Sequence, residues 1–76
     1  MRERTYAVVL EPEDVGGFSV SVPDFPEIAT QGESVDEALA NAKDAIELVI
    51  SCLVEHGEQV PASDAGARLE RVAVAI

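Results

Sequence analysis

The sequence predicts a two-layer α+β domain with the element order β-β-β-α-β. Three observations carry this. "RTYAVVLE" and "GFSVSV" are short, β-branched or alternating runs joined by turn residues. From Val35 to about His56, apolar residues recur at three- and four-residue spacing, the period of an amphipathic helix. After a loop, "RLERVAVAI" alternates again. At 76 residues the chain has room for one small domain, residues 1–76, with a thin core that oligomerisation would help.

The first strand is read over Arg4–Glu11, with Tyr6, Val8 and Leu10 on one face and Ala7 and Val9 on the other. Pro12 and the Gly16–Gly17 pair supply turn chemistry. The second strand, Gly17–Val22, points Phe18, Val20 and Val22 one way and Ser19 and Ser21 the other, a half-buried pattern. Pro23 then removes a backbone donor, and Phe25 stands before Pro26 and is pushed towards extended geometry. Pro23, Asp24, Phe25 and Pro26 therefore read as a rigid corner, with the acid available to bond nearby amides. A short third strand is expected over Glu27–Gln31, and Gly32 is expected to let the chain turn sharply.

Ser34 is a good N-cap, and Glu37 three residues later completes a capping box. Glu33, Asp36 and Glu37 also suit the positive end of the helix dipole. The predicted apolar stripe is Val35, Leu39, Ala42, Ile46, Val49 and Leu53, flanked by Ala38, Ala45 and Ile50. Gly57 fits the C-terminal cap, and Pro61 follows at the usual distance. "EQVPASDAGA" reads as loop, and Arg68–Ile76 as a fourth strand with Val72, Val74 and Ile76 on one face. A right-handed helical crossover would lay that strand parallel to the first. The helix covers one sheet face, and the other stays open.

Composition narrows the function. The net charge is −10, from fifteen acids against five bases. Between Thr5 and Ala42 stand eight acids and no base. Nucleic-acid binding relies on Lys and Arg to neutralise phosphates, so direct contact with DNA or RNA is not expected. The same field steers a basic partner inwards, although acidic surfaces also serve solubility alone. One cysteine excludes an intramolecular disulfide. No secretory signal opens the chain and no stretch is apolar enough to span a membrane, so the expected address is the cytoplasm.

The residues for catalysis are sparse. Cys52 and His56 lie one helical turn apart, but a zinc site wants three or four ligands. Cys52 reads as a small apolar residue and His56 as a helix C-terminal residue. Ser19, Ser21, Ser34, Ser51 and Ser63 occur without a nucleophile elbow. "VGGFSV" sits in a hairpin and opens no helix, so it is no phosphate loop. Paired carboxylates are plentiful at this composition; Glu11 and Asp24 could form a divalent-metal pair of a degenerate nuclease, but nothing in their spacing singles them out. The expectation is a non-enzyme with no metal and no cofactor.

With the elements in order, the chain resembles the HicB-like antitoxins, the small acidic partners in HicA–HicB type toxin–antitoxin pairs. The resemblance rests on "YAVVLEPEDVGGFSVSVPDFPEIATQGES", then "VDEALANAKDAIELVI", then "GEQVP", and covers roughly residues 5 to 62. It implies a truncated ribonuclease-H-type sheet without the ordered catalytic carboxylates. It also implies a partner, a small basic HicA-like toxin that cleaves RNA and whose active surface the domain covers. Contacts to that partner are expected at Glu11, Glu13 and Asp14 on the hairpin and at Asp24 and Glu27 by the corner, acids without basic neighbours in sequence. Pro23, Asp24, Phe25, Pro26, Gly32, Ser34 and Glu37 are expected to act structurally. Glu27 stands where many relatives have glycine. Many relatives also carry a C-terminal helix-turn-helix or ribbon-helix-helix domain, and the expectation here is a single HicB-like domain over residues 1–76 without one. The competing expectation is a self-associating structural domain, motivated by the open sheet face, "VAVAI" and Leu48, which lies off the helix stripe.

Overall fold

The computed structural model describes residues 3–62 and 68–76. Three strands, β1 (Val9–Pro12), β2 (Phe18–Ser21) and β3 (Ala29–Gly32), form an antiparallel meander in the order β1-β2-β3. One helix, α1 (Val35–Glu55), follows and packs against β3 and β2. The predicted α+β class and the meander are present. Across the sheet, Pro12, Phe18 and Gly32 share one row, and Val9, Ser21 and Ala29 share the row at the other end.

Strand one is shorter than the sequence suggests, because its ladder is limited by its partner. β2 stops at Ser21, just before Val22 and Pro23, and a proline offers no amide to a ladder. Tyr6, Val8 and Leu10 nevertheless share the inward face, as their alternation predicts. The turn between β1 and β2 is closed by Glu13 N–H to the Gly17 carbonyl and Gly16 N–H to the Glu13 carbonyl, both 3.0 Å. Gly16 and Gly17 hold φ of 94° and 79°, a region L-residues rarely enter.

The proline corner consists of two successive β-turns. Phe25 N–H donates to the Val22 carbonyl, and Ile28 N–H donates to the Phe25 carbonyl, each at 2.9 Å. Pro23 and Pro26 each occupy the second position of a turn, where a preset φ near −65° fits without strain. The prolines stay exposed while Val22, Phe25 and Ile28 are buried beneath Ile46. The Phe25 ring meets Tyr6 edge-on, with centroids 5.0 Å apart. A second cluster, Val20 with Ala38 and Ala42, fills the core towards the hairpin end.

Both helix caps form. Ser34 Oγ accepts from Glu37 N–H at 3.1 Å as expected, while Glu37 Oε1 accepts from the N–H of Glu33, one residue before the cap, also at 3.1 Å, rather than from that of Ser34. At the other end Gly57 N–H bonds the Val54 carbonyl and Glu58 N–H bonds the Leu53 carbonyl, a complete Schellman motif with Gly57 at φ 68°.

Three expectations are corrected. Gly32 has no positive φ; a Cβ there would lie 2.4 Å from Ala38 N and 2.6 Å from its Cα. Its role is close approach of helix to strand, not a sharp turn. The buried helix face is Ala38, Ala42 and Ile46, whereas Val35 and Leu39 remain nearly half exposed. Small alanines let the helix settle close to the sheet, and the larger residues are displaced to one side. Finally, the fourth strand does not form. Arg68–Ile76 carries no regular secondary structure and every residue in it is exposed. One edge ladder and one apolar face do not outweigh an ordering cost of about 1–2 kcal/mol per residue. The predicted loop from Glu58 to Ala67 lies outside the described residues from position 63 onwards, as does Ser63.

Candidate protein-interaction surface

The meander decides where the acids sit. Glu11 is exposed in β1, one row from Pro12, and Glu13 and Asp14 are exposed in the turn that follows. Because β3 runs back towards that turn, Glu33, Asp36 and Glu37 arrive at the same end of the sheet, all exposed. Glu13, Glu33 and Glu37 line one shallow hollow of about 310 Å³, floored by Gly16, Gly17 and Gly32. Phe18 and Val15 complete its rim, and Val15 is almost wholly exposed at 98%.

Asp24 and Glu27 lie beyond the opposite row, in the proline corner. Three residue steps of strand, about 10 Å, separate the two end rows of the sheet. The fold thus brings Glu11, Glu13 and Asp14 together and leaves Asp24 and Glu27 apart from them. Glu27 is exposed, while Asp24 is half-buried with Oδ2 shut off from solvent. By sequence alone Glu33, Asp36 and Glu37 answer only to the helix dipole. Their nearness to the hairpin was readable only through the Phe18–Gly32 pairing.

Two polar side chains of α1 and its cap bond to backbone carbonyls. His56 Nδ1 donates to the Cys52 carbonyl at 2.8 Å, so the ring serves the last turn of the helix rather than facing the thiol. Asn41 Nδ2 donates to the Gln31 carbonyl at 2.6 Å and ties α1 to β3. Among the described residues, no group of three or more His, Cys, Asp or Glu is placed to hold a metal ion. No helix of the described residues is long and apolar enough to cross a membrane.

A second surface lies along α1. Between the segment Glu3–Val8 and α1 runs a largely apolar groove of about 790 Å³, lined by Tyr6, Val8, Leu39, Ile46, Ile50 and Val54 together with the charged Glu3, Arg4, Lys43 and Glu47. Val60 also lines it, and the neighbouring Pro61 carbonyl accepts from Tyr6 OH at 2.6 Å and from Arg4 Nη1 at 3.2 Å.

Fold and surface together define a small, strongly acidic α+β domain with an acid-rich hairpin end and an apolar groove. Its sequence matches the model of the HicB_like antitoxin of bacterial toxin-antitoxin systems over residues 6–73, and the chain belongs to that family. It is 41% identical over 61 residues to Antitoxin HicB 1 of Photorhabdus laumondii, covering 80% of this chain and 39% of that protein. Antitoxin HicB of Escherichia coli K12 is 45% identical over 56 residues, 74% of this chain and 41% of its own length. The UPF0150 protein Ta0767 of Thermoplasma acidophilum is 38% identical over 60 residues, which are 79% of this chain and 87% of that protein. The chain thus spans about two fifths of the length of the two antitoxins.

Proposed function

We propose that this domain is a non-enzymatic antitoxin that neutralises a small basic RNA-cleaving toxin by covering its active surface. The observation that carries the reading is the family match across residues 6–73. Charge supports it independently. The hairpin end presents Glu11, Glu13, Asp14, Glu33, Asp36 and Glu37 without an intervening base in the sequence, a surface complementary to a protein that must itself hold phosphates. The geometry favours this end over the corner, where Asp24 is half-buried and only Glu27 stands fully out. The cytoplasm, where such a toxin meets messenger RNA, is the compartment this reading requires.

The test begins with capture from the source cytoplasm at low salt and identification of any small basic protein retained. That protein should cleave RNA, and this chain should suppress the cleavage stoichiometrically. Reversing Glu11, Glu13 and Asp14 to lysine should weaken the complex and flatten its salt dependence, whereas Glu27→Lys should have a smaller effect. Cleavage unaffected by saturating amounts of this chain would refute the proposal.

A further inference from the structure

We propose that the apolar groove between Glu3–Val8 and α1 is the docking site for the C-terminal segment, Arg68–Ile76, of a second copy of this chain, so that two copies exchange segments in a symmetric dimer. Three observations carry it, and none depends on the toxin reading.

The first is the state of the segment. Leu69, Val72, Val74 and Ile76 are exposed by 63%, 83%, 77% and 119%, an apolar series left in water by the described fold. Val72, Val74 and Ile76 share one face of an extended chain, with Arg71, Ala73 and Ala75 on the other. Such a segment is built to lay one face on an apolar surface.

The second is the shape of the groove. It runs between Glu3–Val8, the segment that leads into the outer strand β1, and one side of α1, with the core residues Ala42 and Ile46 at its base. Leu39, a member of the helix stripe, and Val54 both line the groove and are 45% and 64% exposed. A further strand beside β1 would cover both. The groove is therefore matched in place and chemistry to the alternating face of the segment.

The third observation decides between a chain's own segment and that of a second copy. The radius of gyration is 14.3 Å and the long axis 45 Å, against about 11 Å for a compact chain of this length. The segment projects from its own body while that body's groove stands open. Two-fold exchange fills both grooves at once, each copy giving its segment to the other. It also closes the exposed β1 edge, which a small sheet otherwise presents to any passing strand.

Charge supplies a distinguishing signature. Each copy carries −10, so dimerisation works against repulsion and should tighten as salt rises. A complex with a basic toxin should loosen under the same change. The two ideas therefore fail separately.

The experiment uses the full chain, with mass measured by sedimentation equilibrium across the micromolar range at low and high salt. A dimer that tightens with salt is expected. Two variants probe the two sides: Val72→Asp with Val74→Asp on the segment, and Val54→Asp in the groove. Each should raise the dimer dissociation constant by about 100-fold or more while leaving the helical circular dichroism unchanged. In a dimer mixed from isotope-labelled and unlabelled chains, contacts between Val72 or Val74 methyls and Ile50 or Val54 should be intermolecular. A monomeric wild type, a dimer that survives either variant, or contacts confined within one chain would each overturn the proposal.

Discussion

Two apolar stretches of this chain meet opposite fates. "VPDFPEI" folds into the proline corner with Val22 and Phe25 at 1% exposure, while "RLERVAVAI" leaves Val72 and Ile76 in water. The second has the stronger strand pattern, so hydrophobicity does not explain the difference. Local closure does. Each corner turn is closed by one short-range hydrogen bond and stiffened by a proline, so Phe25 and Ile28 reach the core at little entropic cost. The terminal segment lies far along the chain from the strands, and its described residues, 68–76, contain no turn to place it. Its pairing must be won entirely from a remote surface.

Breaking the corner should have the largest effect. Phe25→Ala removes the side chain that joins Tyr6 to Val22, Ile28 and Ile46, at a cost of about 3–5 kcal/mol. A domain of this size holds roughly 4–11 kcal/mol in total, so chemical denaturation should find the variant close to unfolding. A transition midpoint like the wild type's would show that the corner is not the core's anchor.

Next comes Gly32→Ala. The added methyl meets helix backbone at Ala38 rather than a movable side chain, and a loss of about 1–3 kcal/mol is expected from overpacking. Stabilisation instead, as a sharp-turn-free glycine in open space would give, would contradict the close approach. Ser34→Ala deletes the hydroxyl that receives Glu37 N–H and should lower stability by about 1 kcal/mol in the same denaturation assay. The smallest effect belongs to the terminal segment. Measured dilute enough for the chain to be monomeric, Val72→Asp with Val74→Asp should change stability by no more than about 0.5 kcal/mol. A larger loss in the monomer would mean that the segment already packs on its own body.

Much of the fold was legible because its signals are local. The Ser34–Glu37 cap, the Gly57 terminus, the hairpin glycines and the corner prolines each act within a few residues, and each appears where its chemistry predicts. The candidate interface was legible only as a list of acids. Whether Glu13 lies near Glu33 or near Glu27 depends on which strands pair and in what register, and no spacing along the chain encodes that.

By itself the sequence determined the family, the three strands before one long helix, the caps and the charge. These rest on periodicity, turn chemistry and counts of ionisable groups, all properties of short stretches or of the whole. Tertiary structure alone decided that Gly32 serves helix contact, that Ala38, Ala42 and Ile46 rather than Val35 and Leu39 face the core, and that the acids divide between two ends. It decided too that Arg68–Ile76 stands outside its own fold. Each of these depends on the distance between parts remote in sequence. Such a contact forms only when the surface it buries outweighs the chain entropy it removes.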